Sequence, residues 1–131
     1  MAHILVSDDN AEHASYIETA LAREGHQVSV SPNGLGCLRN IEKSGGKDID
    51  LVITDIFMPV CDGFELTTQI RKNYPWIPVV GMTGRYADAP YDYGASLVKL
   101  GAVTVLRKPI PLDELVITVE DYLPSEIVGI N

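Results

Sequence analysis

Five short runs of β-branched and apolar residues, at 4–6, 27–30, 51–54, 79–82 and 103–106, are bounded by turn-forming residues and read as strands. Most are continuous rather than alternating, which is the pattern of strands covered on both faces. Between them, apolar positions recur at helical spacing. Ala14, Ile17 and Leu21 form one stripe that stops at Gly25, and Leu66, Ile70 and Tyr74 form another before Pro75. Leu112, Leu115, Val116, Val119 and Leu123 form the last, before Pro124. Residues 33–44 carry a weaker helical pattern, diluted by Gly34 and Gly36. Residues 84–93, with Pro90 and several tyrosines, predict a loop leading into a helix that starts only at about Ala95. Strand and helix alternate throughout, so the predicted fold class is α/β, an open parallel sheet with helices on both faces.

The chain has 131 residues, 46% of them hydrophobic, which suits one compact core and leaves no room for a second. The expected division is a domain over 1–124 and a tail over 125–131. Eighteen acidic residues against 10 basic ones give a net charge of -8, which argues against a nucleic-acid or anionic-membrane partner. The apolar run at the N-terminus is too short for a signal sequence or a membrane span, so a cytoplasmic protein is expected. Cys37 and Cys61 show no metal-ligand spacing and are expected to be free thiols.

In an open sheet of this kind, ligands bind beyond the carboxyl ends of the strands, where helix N-termini also point. The first run ends at Ser7-Asp8-Asp9, the third at Asp55, the fourth at Thr83 and the fifth at Arg107-Lys108-Pro109. Each residue alone has a structural explanation: Asp8 or Asp9 as a cap for a helix beginning near Asn10, Asp55 and Thr83 as polar strand ends, Lys108 as a surface lysine. Taken together they point elsewhere. Three carboxylates on one rim repel one another and need a cation to neutralise them. An oxygen-only donor set favours magnesium over zinc, for which no Cys/His set exists.

These residues resemble the receiver domain of two-component response regulators. The resemblance rests on the Asp8-Asp9 pair, "TDIFMPVCDG" around Asp55, Thr83, "GAVTVLRKP" ending in Lys108-Pro109, and the intervals between them, over nearly the whole chain. It implies a flavodoxin-like (βα)5 sandwich with a parallel five-stranded sheet of order 2-1-3-4-5. It also implies that Asp55 is the phosphoacceptor, taking a phosphoryl group from a histidine kinase or a histidine phosphotransfer protein. Asp8, Asp9, Asp55 and the main-chain carbonyl of Phe57 would hold Mg2+, Asp9 more directly than Asp8. Thr83 and Lys108 would engage the phosphoryl oxygens. Pro59 and Gly63 would shape the turn into the third helix, Asp62 would cap it, and the Lys108-Pro109 bond would be cis. The moving part would be the fourth helix, fifth strand and fifth helix, whose surface would then meet an unidentified downstream protein. The only chemistry implied is self-phosphorylation and self-dephosphorylation at Asp55. With the sequence ending at Asn131, a stand-alone module is expected.

Several positions depart from that pattern. Val105 stands where the family has Tyr or Phe, Gly84 replaces a common alanine, and the interval from Thr83 to Lys108 is longer. Tyr86, Tyr91 and Tyr93 are candidates for a replacement ring. Phe57 and Arg85 stand where the family tunes access of water, and the Phe57 ring is expected to shield an aspartyl phosphate. Two other functions compete: a degenerate receiver acting as a phosphorylation-independent scaffold, and a magnesium-dependent phosphohydrolase. The second is disfavoured because haloacid-dehalogenase-like enzymes need Asp-x-Asp where this chain has adjacent aspartates. "GLGCLR" at 34–39 holds only two glycines of a dinucleotide fingerprint and does not open the first strand–helix turn. His3, His13 and His26 show no metal spacing, and His13 is placed on the exposed side of the first helix. The apolar tail residues Ile127, Val128 and Ile130 leave docking on the domain and homodimer formation both open.

Overall fold

The computed structural model describes residues 1–84 and 88–124. Its elements run β1 (His3–Ser7), α1 (Ala11–Arg23), β2 (Gln27–Ser31), α2 (Gly34–Glu42), β3 (Leu51–Asp55), α3 (Gly63–Asn73), β4 (Val79–Thr83), α4 (Tyr93–Leu100), β5 (Thr104–Arg107) and α5 (Leu112–Tyr122). The strands form one parallel sheet in the order β2-β1-β3-β4-β5, as the resemblance implies. Arg85, Tyr86, Ile127, Val128 and Ile130 lie outside the described residues.

Strand side chains alternate between two cores, which explains the continuous apolar runs. Ile4, Val6, Leu51, Ile53, Val80 and Met82 face α1 and α5, where Ile17, Leu21, Leu115 and Val119 cover them. Leu5, Val52 and Val79 face the opposite layer, against Ile41, Leu66, Ile70 and Leu97 of α2, α3 and α4. The two edge strands are less buried than the three central ones. Leu112, assigned to the α5 stripe from its spacing, is 53% exposed because it is the first residue of the helix and lies outside the buried face.

The fourth helix begins two residues before Ala95. Asp92 caps it, its side chain accepting from Ala95 N at 2.9 Å, so the tyrosine-rich stretch gives way to helix at Tyr93. Asp62 caps α3 in the same way, accepting from Glu65 N at 2.9 Å. In α2, the glycines that weaken the helical pattern are needed for packing. A Cβ on Gly34 would fall 2.7 Å from the Cys61 sulfur.

The turn between β3 and α3 is closely packed. The Gly63 N–H donates to the Ile56 carbonyl at 2.7 Å, and a Cβ there would meet the Asp55 carbonyl oxygen at 2.4 Å. Val60 is held at φ 69 in the same turn, a left-handed conformation that disfavours a β-branched side chain. Its side chain is 80% exposed and contributes little packing to offset that strain. Relief of left-handed strain is worth roughly 1–2 kcal/mol, and the added freedom of glycine in the unfolded chain returns about 0.5–1 kcal/mol of it. Val60→Gly should therefore stabilise the protein by about 1 kcal/mol and raise Tm by about 4 °C in thermal unfolding. An unchanged or lower Tm would show that the turn bears no such strain.

Candidate functional site

At the carboxyl edge of the sheet, β1 and β3 end side by side and deliver Asp8, Asp9 and Asp55 to one place. One carboxylate oxygen from each lies within 4.8 Å of the others. Neither Asp8 nor Asp9 caps α1. That role falls to Asn10, whose side chain accepts from His13 N at 3.1 Å, leaving the aspartates to face the crevice.

Asp8 is almost fully buried, and its environment suits a carboxylate. One oxygen accepts from Asn10 N at 2.9 Å. The other accepts from Lys108 Nζ at 2.9 Å and lies 2.7 Å from His13 Nδ1. Burial pushes the Asp8 carboxyl upward, but these donors outweigh it and hold the group below its ordinary value of 3.8. Asp55 moves the other way. Burial raises it above 3.8 and the Asp8 charge adds to that, while Lys108 Nζ, at 3.1 Å from the second Asp55 oxygen, only partly compensates. One ammonium shared between two carboxylates favours the better-donated partner, so Asp55 carries the unrelieved charge.

Lys108 reaches this position from β5. Its N–H donates to the Thr83 carbonyl at 2.8 Å, continuing the β4–β5 ladder and placing Thr83 beside it. The following Lys108-Pro109 bond is cis. A Cβ on Gly84 would fall 2.9 Å from Lys108 Cδ, so the glycine leaves room for the lysine stem to lie along the crevice. Asp8, Asp9, Asp55 and Lys108 are thus brought together, with the Thr83 backbone beside Lys108.

The three carboxylates converge on one spot, and an oxygen-only donor set of this charge suits a hard divalent cation such as magnesium.

Three features escaped the sequence pattern. His13 is half-buried against Asp8 rather than exposed. Because helical side chains lean toward the N-terminus, a residue in the first turn of α1 reaches back over the end of β1. Ser7 donates to the Met58 sulfur at 3.2 Å, tying the end of β1 to the turn after β3. The Phe57 ring packs edge-on against Tyr93 at 5.0 Å and against Phe64 at 6.0 Å. Of the candidate replacement rings, Tyr93 thus joins the turn next to Asp55, and Tyr91 stacks outside it at 4.8 Å. Cys37 and Cys61 are both free and buried, and burial drives the Cys37 thiol up to about 12. No described helix is long and apolar enough to cross a membrane.

A family model described as the response regulator receiver domain matches residues 4–120. The transcriptional regulatory protein ZraR of Klebsiella oxytoca is 35% identical over 120 residues, covering 92% of this chain and 26% of that protein. The DNA-binding transcriptional regulator NtrC of Escherichia coli is 35% identical over 117 residues, covering 89% of this chain and 24% of that protein. The chain therefore spans about a quarter of the length of these two relatives. Among solved structures, a response regulator receiver domain protein from Clostridium thermocellum aligns with a TM-score of 0.84 at 28% identity, covering 99% of this chain and 100% of that one. The receiver domain of NtrX from Brucella abortus aligns with a TM-score of 0.81 at 27% identity, covering 93% of this chain and 98% of that one. With the parallel sheet and the aspartate–lysine crevice already in place, these matches make the chain a member of the response regulator receiver domain family.

Proposed function

We propose that Asp55 accepts a phosphoryl group from the phosphohistidine of a histidine kinase or phosphotransfer protein, with Mg2+ bound by Asp8, Asp9, Asp55 and the Phe57 carbonyl. The observation that carries this reading is the convergence of oxygens from three carboxylates within 4.8 Å, with one lysine ammonium bridging Asp8 and Asp55. A site of this charge supports a reaction whose transition state needs positioning and charge neutralisation rather than elaborate covalent chemistry.

Asp55 sits at the end of a buried strand, where the fixed backbone aims its carboxylate into the crevice. An Asp55 oxygen attacks phosphorus as the phosphorus–nitrogen bond of the donor breaks, and the imidazole departs with its electron pair. Bound magnesium would neutralise charge on the transferring oxygens. Lys108 leaves its bridge between the carboxylates and pairs with a phosphoryl oxygen, while the Thr83 hydroxyl turns toward another. The Phe57 ring, fixed by Tyr93 and Phe64, forms an apolar wall that limits the approach of water to the acyl phosphate. The resulting rearrangement alters the α4–β5–α5 surface presented to a downstream protein.

Incubation with acetyl phosphate and Mg2+ should add one phosphoryl group, seen by intact-mass spectrometry. Asp55→Asn, or removal of Mg2+ with a chelator, should abolish the label. Labelling that survives in the variant would reject the assignment, and absence of any label in the wild type would favour the scaffold reading.

The raised Asp55 carboxyl gives a second test. An acid whose folded-state value is raised favours folding at pH below its unfolded value, and loses that contribution as pH rises through the folded-state value. Metal-free Asp55→Asn should therefore have a higher Tm than the wild type at pH 7. The difference should shrink as pH falls toward 3.8, the ordinary value of the group. A variant less stable than the wild type at pH 7 would contradict the charge balance described for the site.

A further inference from the structure

We propose that His13 is a positioning residue that fixes the carboxylate of Asp8 for magnesium binding and keeps it fixed when Lys108 moves to the phosphoryl group. This rests on the phosphoacceptor reading and names a residue that the sequence pattern set aside.

The contact is short and enclosed. His13 Nδ1 lies 2.7 Å from Asp8 Oδ2, and the Asp8 side chain is inaccessible to solvent. An ionised carboxylate only accepts hydrogen bonds, so the proton of this contact belongs to Nδ1. The other ring nitrogen, Nε2, is buried with no hydrogen-bond partner among the described residues. A side chain present only to fill space would avoid burying an unpaired nitrogen, so the contact with Asp8 gives the imidazole its purpose here. The ring is also held from outside. Tyr16 lies one turn further along α1, with its ring centroid 6.0 Å from that of His13, and its hydroxyl donates to the Ile110 carbonyl at 2.9 Å. Tyr16 thereby ties the helix carrying His13 to the segment that follows Lys108-Pro109.

The sharing of one oxygen gives His13 its role. Among the described residues, Asp8 Oδ2 receives both Lys108 and His13, whereas Oδ1 receives the Asn10 amide. Once Lys108 turns to a phosphoryl oxygen, His13 is the remaining side-chain donor holding the plane of that carboxylate. Groups that hydrogen-bond a metal-ligating carboxylate from outside set its orientation, and their loss typically lowers metal affinity or activity by about 10–100-fold.

The test compares wild type, His13→Leu and His13→Asn in the full chain. Leucine keeps bulk and removes the donor, while the Asn Nδ2 can donate from a position close to that of Nδ1. Magnesium binding is measured by calorimetry without phosphodonor, and the labelling rate with acetyl phosphate is measured across a magnesium series. His13→Leu should weaken magnesium binding by about tenfold. Its labelling rate should fall at low magnesium and recover toward the wild-type rate at saturation. His13→Asn should remain close to the wild type in both measurements. If His13→Leu folds poorly, His13→Met supplies the same donor-free comparison. A donor-free variant with wild-type magnesium affinity, or an asparagine variant impaired as severely as the donor-free one, would overturn the proposal. Wild-type protein that binds no magnesium would overturn the parent reading too, a failure visible before any variant is compared.

Discussion

The constraint on which this molecule turns is electrostatic: three carboxylates are delivered to one end of the sheet and, among the described residues, one ammonium lies between two of them. Lys108 lies 2.9 Å from Asp8 and 3.1 Å from Asp55, so it cannot satisfy both as a dedicated partner would. The remaining donors to Asp8 decide the outcome. They hold Asp8 as a stable anion and leave Asp55 as the carboxylate whose charge is least welcome. A buried anion with too little compensation is a group prepared to gain from a divalent cation. The parallel sheet produces this arrangement because β1 and β3 are neighbours with matched ends, and β5 reaches the site across β4 through the Lys108 N–H to Thr83 carbonyl bond.

The surroundings of that charge cluster differ from the family pattern at Val105, where the family has Tyr or Phe. Val105 cannot act as a rotating ring, and it packs half-buried against the core on the α4 side of the sheet. Aromatic contact instead runs from Phe57, two residues beyond Asp55, to Tyr93 at the start of α4 and to Phe64 on α3. The turn that follows Asp55 is therefore in direct contact with the first residue of α4.

Much of this was legible in the sequence because buried strands and strand-end polar residues leave strong marks. The five runs match the strands nearly to their ends, and the meeting of Asp8, Asp9 and Asp55 with Lys108 follows from where those runs stop. What escaped depended on direction rather than residue type. Helical spacing placed His13 on an outer face, yet the backward lean of a first-turn side chain carries it over Asp8. Leu112 matched an apolar stripe but precedes the first turn that packs. The start of α4 was obscured by Pro90 and the tyrosines, although Asp92, three residues before Ala95, was a readable cap. The left-handed Val60 had no local signal, since nothing about valine suggests that backbone.

Lys108 lies between Asp8 and Asp55, the two carboxylates for which a divalent cation would compete in the proposed metal-bound state. Magnesium titration of Lys108→Met by calorimetry, beside the wild type and without phosphodonor, tests this most directly. Removing the ammonium should leave the charge of Asp8 and Asp55 uncompensated and make magnesium bind more tightly. Equal or weaker binding by the variant would contradict the account, because the carboxylates would then owe their arrangement to something other than a charge balance shared between lysine and metal.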